Sequence, residues 1–337
     1  MNHIRGELCL ISCSSGQEFA KKVLKEINKK RQKKLHLLDT EEVVFANTEV
    51  KSVVNESIRG KDVYIIQDTE NHYDGRSVDE NLRALYTVIG ACRRCDANYI
   101  TAVIPSFPYA RQDKQSGRED ITAARVAWEL EGDLGADHIL TMDLHNTAIQ
   151  GFFRRAQIEN LRASQVLTPH IKEHIQDPDK TVFIATDLGG AKRANFYAQN
   201  SNTQVAFTYK NRNYSKANTV ESVEIMGDIE GKVVYIVDDM LDTGGTFCKA
   251  SDVAKSKGAT KIYGVVTFAL LNGEALERLD KCHKAGCLDK LIATDASLVP
   301  AEMLKKYKWI EIVSVADYFA EIITRLNNRL SIGELLG

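Results

Sequence analysis

Paired carboxylates beside a glycine-rich turn are the first feature of this sequence that could do chemistry. An apolar run at residues 233–237 ends in two aspartates, and a short loop follows; these residues are Asp238, Asp239, Asp242, Thr243, Gly244, Gly245 and Thr246. Glycines let a ligand approach the backbone, threonine hydroxyls donate hydrogen bonds, and free N–H groups at a helix start attract phosphate. Carboxylates repel phosphate, but they accept hydrogen bonds from sugar hydroxyls or bind a bridging cation. With a helix expected to begin near Thr246, the segment predicts a clamp for a sugar phosphate.

An ordinary capped turn between a strand and a helix is the alternative for this segment. In that case Asp242 and the threonines would serve only as N-cap residues. Such a turn rarely needs three acids and two adjacent glycines. A P-loop does not fit, because GxxxxGK[ST] is absent and the nearest match, GDIEGKV at residues 227–233, has the wrong spacing and leads into a strand. We therefore favour the sugar-phosphate clamp and interpret residues 227–233 as a turn.

The overall composition is that of an ordinary globular protein. The chain has 337 residues, 44% of them hydrophobic and 27% charged, and this length suits two domains. A net charge of −2 provides no basic field that would favour nucleic acid or an anionic membrane as a partner. The apolar runs are too short for a membrane span, and the first residues have too short an apolar core for a signal peptide. We expect a cytoplasmic protein.

The seven cysteines favour neither a metal site nor a redox motif. They are odd in number and scattered along the chain. Cys92 and Cys95 have CxxC spacing, but they lie in a helical pattern and no second pair completes a zinc site. We interpret the cysteines as reduced thiols of the core and the surface.

Apolar strands alternate with amphipathic helices almost throughout the chain. The strand-like LCLIS at residues 8–12, for example, precedes a helical pattern at residues 16–30. This alternation predicts βαβ units and therefore an α/β fold of mainly parallel sheets flanked by helices. The predicted tandem domains are residues 1–163 and residues 164–324, with a C-terminal helix at 325–337 that joins the first domain.

Five segments of the sequence resemble those of a known enzyme family. VDDMLDTGGT alone resembles the phosphoribosyl-diphosphate (PRPP) binding loop that type I phosphoribosyltransferases share with PRPP synthetases. The segments that follow the order and spacing of ribose-phosphate diphosphokinase, the PRPP synthetase, are ESIRGKDVYIIQ, PSFPYARQDK, DLHNTAIQGFF, TDLGGAKRA and GDIEGKVVYIVDDMLDTGGT. The transferases lack the first three. The resemblance to the synthetases extends from about residue 7 to the C-terminus.

This resemblance implies a reaction, a fold and an assembly. Members of the family transfer the β,γ-diphosphate of ATP to the anomeric hydroxyl of ribose 5-phosphate, which gives PRPP and AMP, and they use Mg²⁺. Their subunits have two tandem phosphoribosyltransferase-like domains with the active site in the cleft between them. Active members form homo-oligomers, either hexamers or smaller dimer-based forms. Because the displacement builds charge on phosphate oxygens, catalysis should rest on positioning and on cations.

Four residues outside the loop are expected to act on the diphosphate or its metal ion. By resemblance, His145 and Asp187 help to bind Mg²⁺, directly or through water. Magnesium prefers oxygen ligands, so contact with a phosphate is one alternative for His145, and a core histidine with no functional role is the other. Lys210 and Arg212 match the family's flexible catalytic loop, whose lysine and arginine neutralise the transferring diphosphate. Without the family, the polar segment 208–218 would read as a solvated loop between strands.

Two groups of substrate contacts also follow from the resemblance. The residues of the sugar-phosphate clamp at 238–246 are expected to bind ribose 5-phosphate. In YARQDK, Arg111 and Gln112 are expected to contact ATP, partly across a subunit boundary, with Asp113 beside them. The first domain would therefore carry the ATP side of the reaction and the oligomer contacts.

A second segment, VVFANTEV, matches the part of the family that closes over adenine. Phe45 is available to stack on the base, and Glu49 to hydrogen-bond to its amino group. Asn47 stands where the family usually has an acid, and Thr48 replaces a glycine. Asparagine can still pair with adenine, so we expect ATP binding to persist with an altered nucleotide preference.

Other departures from the family concern regulation. Phe268 replaces a histidine and Asn272 a serine, and the stretch 114–121 is one residue shorter than usual. Ser57 and Arg59 match one half of an allosteric site that binds phosphate or ADP. We therefore expect an active enzyme without the usual regulation. The alternatives are a catalytically inactive regulatory relative of PRPP synthetase, and a type I phosphoribosyltransferase or other PRPP-binding protein.

Overall fold

Short apolar segments form strands and longer amphipathic segments form helices over residues 5–187, 189–211 and 222–336, which this computed structural model describes. The strands in chain order are β1 (Leu8–Ser12), β2 (Thr40–Val44), β3 (Val50–Val54), β4 (Asp62–Ile66), β5 (Tyr99–Val103), β6 (His138–Met142), β7 (Gln157–Leu161), β8 (Thr181–Ala185), β9 (Gln204–Asn211), β10 (Ser222–Met226), β11 (Val233–Leu241), β12 (Lys261–Ala269), β13 (Lys290–Thr294) and β14 (Ile310–Val313). The helices in chain order are α1 (Gln17–Lys29), α2 (Val78–Arg94), α3 (Thr122–Trp128), α4 (Ser164–Lys172), α5 (Ala191–Ser201), α6 (Gly245–Ser256), α7 (Ala275–Lys284), α8 (Ala301–Lys306), α9 (Ala316–Asn327) and α10 (Gly333–Leu336). No described helix is both long and apolar enough to cross a membrane.

Local sequence signals account for these elements. Strands β4, β6 and β8 are buried over their whole length, as expected for parallel strands that helices cover on both faces. Helix α2 begins at a capping box, in which the Glu80 N–H donates to Ser77 Oγ at 3.2 Å and the Ser77 N–H donates to Glu80 Oε2 at 2.7 Å. Each residue thereby satisfies a backbone donor that the helix start would otherwise leave without an acceptor.

The chain forms two compact units. The first comprises Met1–Ala163, Asp295–Leu298 and Ser314–Gly337, and the second comprises Ser164–Thr294 and Val299–Val313. The first unit's C-terminal segment thus begins at Ser314, whereas the sequence analysis assigned residues 314–324 to the second domain and joined only 325–337 to the first.

Packing within the first unit explains the position of this C-terminal segment. The ring of Phe319 on α9 meets that of Phe19 on α1 edge-on, with their centroids 5.1 Å apart. At the end of α9, the buried amide of Asn327 donates to Asp62 Oδ2 of β4 at 2.9 Å. The whole of helix α9 therefore packs in the first unit. Its amphipathic sequence pattern does not show which of the two sheets it covers.

Within the described residues, the first unit contains a five-stranded sheet in the order β1-β4-β5-β6-β7. All neighbouring strands in it are parallel. A separate antiparallel hairpin, β2-β3, lies beside helix α2, where the hydroxyls of Ser52 and Thr87 are 2.8 Å apart. The second unit, over the part that the structure describes, contains a seven-stranded sheet in the order β10-β9-β8-β11-β12-β13-β14. Its strands are parallel except for the edge strand β10, so the predicted α/β fold with mainly parallel sheets is confirmed.

The interpretation of residues 208–218 as a loop is wrong for their first part. Strand β9 continues to Asn211 and pairs antiparallel with β10, with Lys210 opposite Val223. Backbone pairing with β10 stabilises an extended conformation that the polar side chains did not predict. Residues 212–221, Arg212 among them, lie outside the described residues, as does the side chain of Lys210.

Candidate functional site

The paired aspartates lie where strand β11 extends beyond the end of its neighbour β8. Pairing with β8 ends at Val237 opposite Ala185, whereas pairing with β12 continues to Leu241 opposite Ala269. Asp238 and Asp239 therefore lie just beyond the end of β8 but still within a hydrogen-bonded strand. The carboxyl ends of parallel strands are the usual ligand edge of an open sheet. The strand pairing holds the two carboxylates at that edge.

The carboxyl groups of this pair are close, partly buried and faced by a cation. Asp239 is only 4% exposed. Burial raises the pKa of Asp238, and the hydrogen bond and the negative charge of Asp239 raise it further. Arg193 Nη1 lies 3.8 Å from Asp238 Oδ1 and 3.6 Å from Asp239 Oδ1, and Thr186 donates its hydroxyl to Asp238 Oδ2 at 2.5 Å. One guanidinium thus faces two carboxyl groups, an arrangement that favours a further cation or hydroxyl donors.

The turn after these aspartates has the backbone geometry of an anion site. Gly244 has φ +74°, a left-handed conformation that residues with a Cβ rarely adopt, and helix α6 begins at the next residue. The first hydrogen bond of the helix runs from the Cys248 N–H to the Gly244 carbonyl at 2.9 Å. The N–H groups of Gly245, Thr246 and Phe247 precede this bond, so the helix itself offers them no acceptor. A helix start of this kind binds phosphate.

Two side chains from the region of helix α7 support the same turn. Asn272 donates to Asp242 Oδ1 at 2.8 Å, and Arg278 Nη1 donates to the Thr243 carbonyl at 3.3 Å. From the sequence, Asn272 was only a departure from the family's regulatory segment, and Arg278 was not predicted to have a role. Phe268, the other departure there, is 2% exposed and packs in the core.

Asp187 lies two residues beyond the end of β8, in the same unit. Its side chain is exposed, and Oδ1 accepts a hydrogen bond from the Gly190 N–H at 3.0 Å, just before helix α5. Carboxylates at this end of a helix are stabilised by its dipole. Helix α5 also carries Arg193, so one βα connection presents both a carboxylate and the cation that faces the aspartate pair. Arg193 was not among the site residues predicted from the sequence, although two adjacent acids at a buried strand end are a signal that a counter-charge is needed.

In the first unit, two loops that were predicted separately are joined by a hydrogen bond. The Asn146 amide donates to Asp113 Oδ2 at 2.5 Å, and its Oδ1 accepts from the Ala148 N–H at 3.0 Å. This bond ties the segment of Arg111, Gln112 and Asp113 to the exposed His145, which precedes Asn146. The structure thus brings the predicted ATP loop beside the predicted metal or phosphate ligand.

The predicted adenine segment forms the turn of the β2-β3 hairpin. The Phe45 N–H donates to the Glu49 carbonyl at 2.9 Å, and the Glu49 N–H donates to Asn47 Oδ1 at 3.3 Å. Phe45 is 47% exposed. Thr48 has φ +69°, which is a strained conformation for a β-branched residue. The replacement of the family's glycine therefore has a conformational cost at this turn.

A cavity of about 390 Å³ lies between the hairpin and the segment that precedes the predicted ATP loop. Thr48 lines it from the hairpin, Tyr109 from the segment just before Arg111, and Thr122 from the start of α3. The hydroxyl of Thr122 donates to Gln112 Oε1 at 2.5 Å. The predicted ATP residues themselves do not line this cavity, but neighbours of both groups do.

The predicted allosteric residues are exposed and lie apart from these sites in the sequence. Ser57 is at the surface, and Arg59 Nη1 lies 3.0 Å from Asp96 Oδ2 in an exposed ion pair. A regulatory role for Ser57 and Arg59 stays a prediction. None of the seven cysteines forms a disulfide bond in the structure.

Comparison with known proteins identifies the family. The model of the N-terminal domain of ribose phosphate pyrophosphokinase matches residues 8–132, and that of the phosphoribosyl synthetase-associated domain matches residues 213–337. The crystal structure of phosphoribosylpyrophosphate synthetase from Mycobacterium smegmatis superposes with a TM-score of 0.85 at 31% identity and covers 96% of this chain and 99% of that one.

Adenine phosphoribosyltransferases overlap with a smaller part of the chain. The enzyme from Thermoanaerobacter pseudethanolicus is 23% identical, with a TM-score of 0.27 and coverage of 37% of this chain and 75% of that one. The enzyme from Giardia lamblia is 20% identical, with a TM-score of 0.27 and coverage of 38% and 75%. These TM-scores are too low to bear on fold or function. With family models matched at both ends and a synthetase superposed over nearly its full length, the chain belongs to the ribose phosphate pyrophosphokinase family, which confirms the family and the enzyme class predicted from its sequence.

Proposed function

We propose that this chain transfers the β,γ-diphosphate of ATP to the anomeric hydroxyl of ribose 5-phosphate in a Mg²⁺-dependent reaction that gives PRPP and AMP. The end of strand β11 carries this proposal. It combines a partly buried carboxylate pair with a turn in which Gly244 has φ +74° and leads directly into helix α6. A sugar phosphate needs hydrogen-bond acceptors for its hydroxyls and donors for its phosphate. The carboxylates and the N–H groups of the turn would supply these side by side.

Ribose 5-phosphate would bind in two parts. Its phosphate would take the turn at 242–246, where N–H groups at the start of α6 and the hydroxyls of Thr243 and Thr246 are available as donors. Its ring hydroxyls would donate to Asp238 and Asp239, which Arg193 and Thr186 orient from the neighbouring strand connection. Arg193 would act as a positioning residue, because its guanidinium contacts the carboxylates that hold the sugar.

ATP would bind to the first unit. The hydrogen bond between Asn146 and Asp113 would hold the loop that carries Arg111 and Gln112, and the exposed ring of Phe45 would stack on adenine. Asn47 and Glu49 would recognise the edge of the base. Residues that lie exposed on a turn in the free protein suit a site that closes when the nucleotide arrives.

Catalysis would depend on positive charge at the transferring diphosphate rather than on proton transfer. Lys210 and Arg212 are the proposed sources of that charge. The lysine ammonium and the arginine guanidinium interact more strongly with phosphate oxygens as negative charge develops on them. They would therefore stabilise the transition state more than the bound substrates.

The carboxylates of the second unit fit Mg²⁺. Asp187, Asp238 and Asp239 offer oxygen ligands, which Mg²⁺ prefers, and the raised pKa of Asp238 indicates that a nearby cation would stabilise its ionised form. His145 offers nitrogen, and a phosphate contact suits it better. When bound, Mg²⁺ would neutralise charge on the diphosphate.

We further propose a dimer-based homo-oligomer, with ATP residues contributed partly across the subunit boundary. Light scattering of the purified protein would measure the size of this assembly.

The activity is tested by measuring AMP release from ATP with purified protein, ribose 5-phosphate and Mg²⁺. We expect AMP formation that requires all three components. AMP at background level would instead favour the inactive regulatory relative. Binding of PRPP without any use of ATP would favour a phosphoribosyltransferase or a PRPP-binding protein.

A further inference from the structure

A cluster of two histidines and a glutamate lies on the second unit, among residues that the proposed reaction does not use. His170 lies on helix α4, His174 in the turn that follows it, and Glu311 on strand β14. One potential ligand atom from each residue lies within 4.8 Å of those of the other two. His170 and His174 are partly buried and exposed, respectively, and Glu311 is partly buried, so the cluster is open to solvent on one side.

We propose that His170, His174 and Glu311 form a binding site for a divalent transition metal, with Zn²⁺ as the best candidate. Two imidazoles and one carboxylate are a common zinc ligand set, and two histidines four residues apart near a helix end can reach one ion. Imidazole nitrogen selects such metals over Mg²⁺ and Ca²⁺, which prefer oxygen. The site is therefore distinct in its chemistry from the magnesium site proposed for the reaction.

A hydrogen bond already orients His174 as a ligand. His174 Nδ1 lies 2.8 Å from the His170 carbonyl oxygen, and because a carbonyl can only accept, Nδ1 carries the proton. The other ring nitrogen, Nε2, then has its lone pair available. Histidines that bind metals commonly donate their second nitrogen to a backbone carbonyl in this way, which fixes both the tautomer and the ring orientation.

The glutamate is held as an anion by its neighbours. Burial raises the pKa of Glu311, but the hydrogen bond and charge of Lys290 and those of His170 outweigh it, so the pKa lies below its ordinary value. Lys290 Nζ lies 2.5 Å from Oε2, and His170 Nε2 lies 2.7 Å from Oε1. The lysine thus occupies one carboxylate oxygen and leaves the other on the side of helix α4.

Metal binding would replace the proton between His170 and Glu311. With bonds of about 2.0–2.2 Å, the ligand atoms of a tetrahedral zinc site are about 3.3 Å apart. His170 Nε2 and Glu311 Oε1 would separate by a few tenths of an ångström from their present 2.7 Å, and His174 would approach. The proton on His170 Nε2 would move to its Nδ1 or leave to solvent, as ligation by neutral imidazole requires.

The position of the cluster suggests what the metal would do. Helix α4 begins at Ser164, where the second unit starts, and β14 ends at Val313, the last residue of that unit. In the described part of the sheet, β14 is an edge strand. A metal bound here would fasten the first helix of the unit to its last strand and stabilise the unit against unfolding.

An ion-pair network of His170, Glu311 and Lys290 without any metal is the competing explanation. It leaves the ring of His174 with a contact to the ring of His170, their centroids 4.9 Å apart, and with the bond from Nδ1 to the His170 carbonyl on helix α4, but with no part in the ion pairs. The substitution His174→Gln therefore separates the two explanations. Because His174 is exposed, this variant should fold. His36→Gln is the control, since His36 is another exposed histidine and pairs with a single glutamate, with Nε2 3.0 Å from Glu56 Oε1.

The experiment is a Zn²⁺ titration of the full-length protein, followed by calorimetry, in excess Mg²⁺ and at a pH where imidazole is neutral. We expect a binding event that His174→Gln weakens by at least about tenfold and that His36→Gln leaves unchanged. Glu311→Gln should weaken it as well. Zn²⁺ should also raise the Tm of the unsubstituted protein and of His36→Gln by more than that of His174→Gln. Equal Zn²⁺ affinity and equal Tm shifts in the unsubstituted protein and His174→Gln would overturn the proposal.

Discussion

The proposed ribose 5-phosphate site and the proposed adenine site are built in different ways. At the first, strand pairing and a glycine with φ +74° fix the backbone, and Arg193, Thr186 and Asn272 hold the carboxylates from neighbouring segments. At the second, the contact residues lie exposed on a hairpin turn that contains a strained threonine. We infer from this difference that the proposed sugar site is organised before its ligand binds, and that the proposed adenine site is completed by binding.

The largest effect is expected at Lys210, which belongs to neither binding region. Lys210→Ala should lower kcat by about 100-fold or more and change both KM values little, because its charge would matter most in the transition state. Steady-state kinetics with each substrate varied in turn would measure this. Lys249→Ala, which removes an exposed lysine of helix α6, is the control and should leave kcat unchanged. Equal losses in binding and turnover would contradict the role of Lys210.

Asp239→Asn should separate the two binding regions most clearly. Loss of a charged acceptor costs about 1.5–3 kcal/mol, so the KM for ribose 5-phosphate should rise at least about tenfold while the KM for ATP stays nearly constant. A larger change for ATP would move the sugar site elsewhere.

The pH dependence of the same variant provides a second readout. Because the pKa of Asp238 is raised, its carboxylate takes up a proton at a higher pH than a free aspartate, and ribose 5-phosphate affinity should fall as the pH drops below neutral. Asp239→Asn removes one cause of the raised pKa, so this loss of affinity should shift to lower pH. A KM profile that is identical in both proteins would show that the pair does not bind the sugar.

Gly244→Ala tests whether the backbone of the turn is organised in advance. The added Cβ would meet only ordinary contacts, the nearest at 3.7 Å, so its cost of about 1–2 kcal/mol would come from the left-handed φ alone. We expect the KM for ribose 5-phosphate to rise about tenfold. Gly245→Ala, at the first residue of α6, is the matched variant and should have a smaller effect, because its φ is not positive. Equal effects of the two variants would contradict the importance of this conformation.

Asn146→Ala tests the connection between the two loops of the first unit. Its amide joins Asp113 to the segment of His145, so its loss should raise the KM for ATP about fivefold and change the KM for ribose 5-phosphate little. Gln150→Ala, in the same exposed segment, removes only a local bond to the Thr147 carbonyl and serves as the control. If Asn146→Ala binds ATP normally, the loop connection has no role in the nucleotide site.

Thr48→Gly should have the smallest effect, and its sign is informative. Glycine relieves the backbone strain of the folded state but also raises the conformational entropy of the unfolded chain. We expect the first effect to be larger, so that the free energy of unfolding rises by about 0.5 kcal/mol and the Tm by about 1–2 °C. Ala46→Gly, in the same turn but without a positive φ, should lower the Tm. Thermal denaturation of both variants would measure the contrast. A lower Tm for Thr48→Gly would show that the threonine is well accommodated.

Features that depend on a short stretch of sequence could be predicted, and those that depend on distant contacts could not. The buried strand, the acids and the glycine turn at 233–246 lie within one segment, so their local pattern sufficed. Arg193 and Asn272 are far from this segment in the chain and approach it only through sheet order. The extension of β9 through Lys210 depends on pairing with β10, and the placement of α9 depends on the ring of Phe19. No local sequence pattern predicts either of these contacts.

A crystal structure with bound ribose 5-phosphate would show directly whether the end of β11 and the turn at 242–246 bind the sugar phosphate. We predict that the phosphate will lie against the turn at 242–246, within hydrogen-bond distance of the N–H groups that begin helix α6. The ring hydroxyls should reach Asp238 and Asp239, and the turn itself should hardly move from its present conformation. A sugar phosphate bound elsewhere, with this turn unoccupied, would contradict the account.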